Sequence, residues 1–228
     1  MKSWCIPNPS ARFVAQMENI LDVYQRPYNP KRPQVCLDEI QKVLHSTPLG
    51  ELGMTKGKPR REDYEYERHG QCALFLAVEP LAGFRKVWVR SQRTKLIFAE
   101  ILKELVDEIY PEAEKIILVT DNLNIHHSAC LYERYLPEEA RRIAAKIEWH
   151  YTPVHASWLN IAECELSVLK RQCLNTRIAT IEQVAAKTTS WASQRNASQV
   201  GIDWRFTNQD ARIKLKRLYP VVNVQKSS

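Results

Sequence analysis

Acidic side chains placed where a carboxylate is expensive to bury are this sequence's clearest chemical signal. Asp38 lies inside the strand-like apolar run Val35-Cys36-Leu37-Asp38-Glu39-Ile40, and Asp121 closes the β-branched run Ile116–Thr120. A charge in such a place is tolerated when it is paired or bound to metal, and the ends of strands in open α/β sheets are where ligands gather. A third acid comes from the segment 158–173. Read as a helix, it buries Leu159, Ala162, Leu166, Leu169 and Cys173, with Glu163 and Glu165 flanking that stripe on opposite sides. Glu163 shares its flank with Asn160, Ser167, Lys170 and Arg171. Glu165 shares its flank with Ile161, Val168 and Gln172, which makes Glu163 the better candidate for an open site. Three carboxylates without thiolate or imidazole partners favour a hard cation, Mg²⁺ or Mn²⁺ rather than zinc. Two such ions about 3.5–4 Å apart activate an attacking oxygen and stabilise a leaving one in phosphoryl transfer. Clustered acids also repel, so at least one should have a raised pKa.

The elements that must hold these acids follow from periodicity and punctuation. Residues 10–25 predict an amphipathic helix with Ser10 as N-cap and Pro27 as stop, followed by a connector containing Pro27, Pro30 and Pro33. Strands are expected at the Asp38 run and at Cys72–Val78 and Phe84–Arg90, the last two joined by a turn over residues 79–83. The charged, glycine-containing stretch 44–70 reads as loop. Residues 94–110 predict a helix, 116–120 a strand, 128–146 a helix interrupted at Pro137, and 147–151 a fifth strand. Helices at 158–174 and 180–196 follow, the second capped by Thr180 and Gln183. Residues 207–210 resemble the cap of a last basic helix. The order implies an α/β fold, a mixed sheet with helices on its faces. The chain divides into an N-terminal helix and linker (1–33), a catalytic domain (34–200) and a basic extension (201–228).

Composition is globular, with 44% hydrophobic and 26% charged residues over 228 positions. No apolar run approaches the roughly 20 residues that span a bilayer, and residues 1–5 have no signal-peptide character. The expected location is cytoplasmic, in association with the nucleoid. The six cysteines are scattered without zinc spacing and read as reduced, buried thiols. The net charge of +7 is concentrated: from Lys170 onward there are eleven Lys/Arg against three acids. Lys170, Arg171 and the run Arg212, Lys214, Lys216 and Arg217 are candidate phosphate contacts, with a solvated helical face as the alternative.

The segments Cys36-Leu37-Asp38-Glu39, Thr120-Asp121-Asn122-Leu123-Asn124-Ile125-His126 and Tyr151-Thr152-Pro153 through Trp158-Leu159-Asn160-Ile161-Ala162-Glu163 resemble the three signature blocks of IS630-family transposases, in the Tc1/mariner group of the DDE superfamily. The similarity covers residues 3–220. It implies an RNase H-like fold with a five-stranded mixed sheet, and a metal triad of Asp38 on the first strand, Asp121 after the fourth and Glu163 on a later helix. It places Asn122, His126 and Asn160 beside the site and His127 on the surface. It further implies two Mg²⁺ or Mn²⁺ ions, DNA (transposon ends and target) as partner, and a homo-oligomer or a partner transposase subunit. The expected activity is DNA hydrolysis and strand transfer, an endonuclease chemistry. The alternatives are a general RNase H-like nuclease and a catalytically silent remnant that binds DNA or joins an intact transposase. Val154 and Ala156 stand where the family has Lys and Gly, and the chain begins at the connector that follows the family's helix-turn-helix region.

Overall fold

The computed structural model describes residues 10–48, 57 and 64–221. Its centre is a five-stranded sheet built from β1 (Gln34–Ser46), β2 (Glu67–Glu79), β3 (Phe84–Arg90), β4 (Ile116–Thr120) and β5 (Ile147–Tyr151), in the spatial order β3-β2-β1-β4-β5. β1, β2 and β3 form an antiparallel meander; β4 and β5 add parallel to β1. The α/β, mixed-sheet expectation is met.

Alternation along β1 splits the core in two. Cys36 and Leu44 face one side, where α1 (Ala11–Tyr24), α5 (Ile161–Gln172), α6 (Ile181–Ala197) and α7 (Asn208–Lys214) pack; Val35 and Leu37 face the other, against α2 (Lys95–Glu104), α3 (Ala129–Arg134) and α4 (Pro137–Ala145). Ser10 caps α1 as expected, accepting from the Phe13 N–H. Met17, Ile20 and Leu21 of that helix are fully buried. At roughly 1.5–3 kcal/mol for each such burial, α1 is seated in the same core as the sheet. α7 joins that core through Ala211 and begins with a capping box between Thr207 and Asp210.

Three expectations change. Residues 44–70 are not loop throughout: β1 runs on to Ser46 and β2 starts at Glu67, while 49–56 and 58–63 lie outside the described residues. Beyond Ala73, β2 pairs only with β1, forming a two-stranded ribbon whose residues 67–71 are all exposed. Residues 67–71 meet water on both faces and Leu44 alone of 41–46 is buried, too little alternation to mark a strand, so the sequence reads as loop. The helix expected from 158 starts later. Ser157–Leu159 is a separate 3₁₀ turn, and Asn160 is the non-helical N-cap of α5. The thiols of Cys36, Cys72 and Cys130 are buried and unpaired, but Cys164 is exposed on the outer face of α5, and Cys5 lies outside the described residues.

Candidate functional site

The site is built where β1, β4 and the start of α5 meet. The last described β1–β4 pairing is Cys36 with Val119. Two residues further along each strand, Asp38 and Asp121 come level. Asp38 is 7% exposed and lies on the α5 side of the sheet. Its Oδ1 accepts the Glu39 N–H at 2.8 Å and its Oδ2 accepts Nδ2 of Asn160 at 3.1 Å. Both donors are neutral. Burial pushes the Asp38 carboxyl up to about 7; the Glu39 N–H pulls it back, and the charges of Glu39, Asp121 and Glu163 add to the rise.

Asn160, fully buried, binds two elements at once. While Nδ2 reaches Asp38 and the Leu37 carbonyl, Oδ1 accepts the Ala162 N–H and so caps α5. Beneath it Tyr24 of α1 donates its hydroxyl to the Leu159 carbonyl at 2.6 Å and accepts the Ile161 N–H. This bracing from an N-terminal helix has no sequence signal beyond the apolar stripe of α1.

Asp121 is partly open, its side chain 29% exposed. Its Oδ1 accepts the Leu123 N–H at 3.2 Å and a hydrogen bond from Nδ1 of His126. The other ring nitrogen of His126 donates to Glu39 at 2.7 Å, and Arg93 donates to the second Glu39 oxygen at 3.1 Å. His126 is fully buried against the Phe98 ring, 4.7 Å between centroids. Burial alone would lower its pKa, but the hydrogen bonds to Asp121 and Glu39 outweigh it and raise it to about 9. The ring is therefore an imidazolium donating in both directions. Glu39 and Arg93 were not singled out in the sequence. The signal for Glu39 was present, since neighbouring strand residues point to opposite faces and a second acid in an apolar run also needs a partner.

Glu163 occupies the first turn of α5, half-buried. Among the described residues its carboxylate makes no ion pair or hydrogen bond, yet its charge reaches Asp38. Also among the described residues, no three His, Cys, Asp or Glu side chains close on one metal-sized point. Asp38 and Asp121 turn oxygens toward Asn160 and His126 instead. The donor chemistry, hard carboxylates with a protonated-leaning Asp38 among them, fits a divalent cation. A cavity of about 330 Å³ opens beside Asp121, lined by Asn122, Thr152, Pro153 and His155 among others. His127 is exposed, as expected, and stacks on Tyr151.

The basic candidates divide. Arg212 is held by both oxygens of Glu18, tying α7 to α1, and Lys214 pairs with Asp210. Lys170, Arg171, Lys216 and Arg217 are exposed and make no ion pair among the described residues.

A mixed sheet in this order, with one acid on its central strand and another just past the end of the neighbouring parallel strand, defines an RNase H-like domain. The family model for the DDE superfamily endonucleases matches residues 33–185, and the chain belongs to that family. Among solved structures it is similar to the Mos1 transposase paired-end complex with the left transposon end, at 13% identity and TM-score 0.57 over 96% of this chain and 65% of that one. The Mos1 mariner paired-end complex with Mn (12%, 0.55, covering 96% and 66%) and the Mos1 strand transfer complex (12%, 0.56, covering 96% and 65%) share the RNase H-like fold. The chain thus spans just under two thirds of the length of these proteins. No curated protein matches it in sequence. Among the described residues no helix is long and apolar enough to cross a membrane.

Proposed function

We propose that this chain is the catalytic domain of a transposase of the IS630 and Tc1/mariner kind, cutting DNA at element ends and joining the freed 3′ hydroxyl to a target strand. Asp38, Asp121 and Glu163 are the residues that would hold Mg²⁺ or Mn²⁺, two ions in the reading we favour. The observation that carries the proposal is Asp38. Its carboxyl is nearly buried, held by neutral donors and pushed up to about 7 by burial and surrounding negative charge. That is the electrostatic debt of a site shaped for a cation. When bound, the metal supplies charge stabilisation and an activated oxygen for phosphodiester displacement.

The protein's own groups do the rest. Asn160 fixes Asp38 relative to the start of α5, and His126, itself set by Glu39 and Arg93, orients Asp121. Exposed Lys170, Arg171, Lys216 and Arg217 supply positive charge for the DNA backbone. The Mos1 structures are complexes named for paired ends and strand transfer, which supports DNA and a second subunit as partners and a nucleoid location.

The test is Mn²⁺-dependent nicking of DNA that carries the element's ends. Asp121→Asn should lower the rate at least about 10³-fold, as expected for loss of a group that acts in the transition state. Exposed Glu133→Gln should leave the rate unchanged. Nicking that survives Asp121→Asn would falsify the assignment, and preference for RNA–DNA hybrids would favour a general nuclease instead. DNA or transposase binding without any cleavage would point to a silent partner.

A further inference from the structure

Glu163 and Glu165 sit two residues apart on α5, about 200° apart around its axis. Glu165 is buried, its side chain 3% exposed. Its Oε1 accepts Nε of Arg85 on β3 and Nε of Arg195 on α6, each at 2.7 Å, and its Oε2 accepts Nη2 of Arg195 at 3.3 Å. Arg85 is completely buried; its Nη1 donates to the Gly83 carbonyl, and its Nη2 has no partner among the described residues. The edge of β3 is tied to α6 a second time, because the Asn196 side chain both accepts the Arg85 N–H and donates to the Arg85 carbonyl, each at 2.8 Å. One carboxylate therefore fastens α5 to a strand and a helix, one turn after Asn160 fastens the same helix to Asp38. Stability alone accounts poorly for this, since a buried ion pair is often no better than an apolar replacement and an orphaned buried donor is a cost.

We infer that Glu165, together with Arg85 and Arg195, is a positioning group that sets the roll of α5 and thereby the direction of Glu163. This rests on reading Glu163 as a metal ligand. The geometry makes the effect large: rolling a helix by about 20° moves a Cα by roughly 0.8 Å at its 2.3 Å radius, while metal–ligand distances tolerate only about 0.2 Å. Asn160 holds the axial position of the helix start, while the apolar contacts of Ala162, Leu166 and Leu169 with the core are non-directional and leave a small freedom of roll. The ion pair on the far side of the helix removes that freedom.

The experiment measures Mn²⁺ binding to the full chain without DNA, from the electron paramagnetic resonance signal of the free ion, alongside the melting temperature. Arg195→Met leaves the Arg85–Glu165 pair and the Trp191–Gln172 hydrogen bond intact but removes the ion pair between α5 and α6, and should weaken Mn²⁺ binding about 10-fold. Arg195→Lys should recover part of that loss. Ile143→Val, on α4 in the core of the other face, should lower the melting temperature without moving the Mn²⁺ midpoint. Arg195→Met that melts earlier but binds Mn²⁺ like the parent overturns the inference, because the pair is then structural only. Asp38→Asn separates the two claims: if it too leaves Mn²⁺ binding intact, the metal-site reading fails; if it abolishes binding while Arg195→Met does nothing, only the positioning inference fails.

Discussion

The two glutamates of α5 stand in opposite electrostatic settings although two residues separate them. Glu165 is buried and held by two guanidiniums; Glu163 is half-open and, among the described residues, unpaired. The same contrast separates the two regions they belong to. Around Glu165 positive charge is in excess, to the point that, among the described residues, an Arg85 nitrogen goes without a partner. Around Asp38 the excess is negative, and the buried ring of His126 is committed to Asp121 and Glu39. A fold gains nothing in stability by leaving acids uncompensated, so the undercompensated region is the one expected to take a ligand. The overcompensated region is where rigidity is built.

The largest stability effect should come from attacking the rigid side. Glu165→Gln leaves Arg85 and Arg195 facing each other in a buried space without their shared anion, and breaking such an arrangement costs about 3–5 kcal/mol. Urea unfolding should show that loss as a lower midpoint at unchanged slope. A change under about 1 kcal/mol would mean that the pair is exposed to water in solution, and the contrast between the two glutamates would collapse.

The acidic side should respond to pH in the opposite sense from an ordinary ion pair. Because the Asp38 carboxyl is raised from 3.8 to about 7 in the folded protein, the folded state keeps a proton that the unfolded chain has released. Its contribution to stability is complete below about pH 4 and is lost as pH rises toward 7, a drift on the order of 2–4 kcal/mol in metal-free protein. Asp38→Asn should flatten this part of the profile and make the metal-free protein more stable at neutral pH. Saturating Mn²⁺ should reverse the drift in the parent by binding the ionised form. Identical pH profiles for parent and Asp38→Asn would show that the carboxyl titrates normally.

What was legible in the sequence follows from what a single segment can reveal. Asp38 and Asp121 stood out because each interrupts or ends an apolar run, and the five central strands were visible because at least one face of each is buried. The ribbon 41–46 and 67–71 was not visible, since 67–71 is exposed on both faces and Leu44 alone of 41–46 is buried, too little for an alternation to show. Asn160 was read as part of the helix that it caps, because its role depends on Leu37 and Asp38, over 120 residues away. Arg85 was the hardest. An arginine in an edge strand reads as solvent-facing, and it is Glu165, 80 residues on, whose charge compensates its burial. Partnerships across the fold, rather than elements within it, were what the sequence concealed.

The smallest of these effects should come from the turn that supports the rigid side. Gly83 joins β2 to β3 at φ +67, a left-handed conformation that favours glycine, and a Cβ placed there would lie 2.6 Å from the Gln199 carbonyl carbon. Its own carbonyl accepts Nη1 of Arg85. Gly83→Ala must therefore either strain the turn or push the 199–202 segment away, at a cost of about 1–3 kcal/mol. If the turn only closes a hairpin, the loss is confined to stability. If it also supports Arg85, the Mn²⁺ midpoint should move in the same direction as in Arg195→Met, though less, because Arg85 keeps its bond to Glu165. Measuring both quantities on one variant distinguishes a turn that merely closes the chain from one that helps hold Glu165, and through it α5, in register with the acidic side.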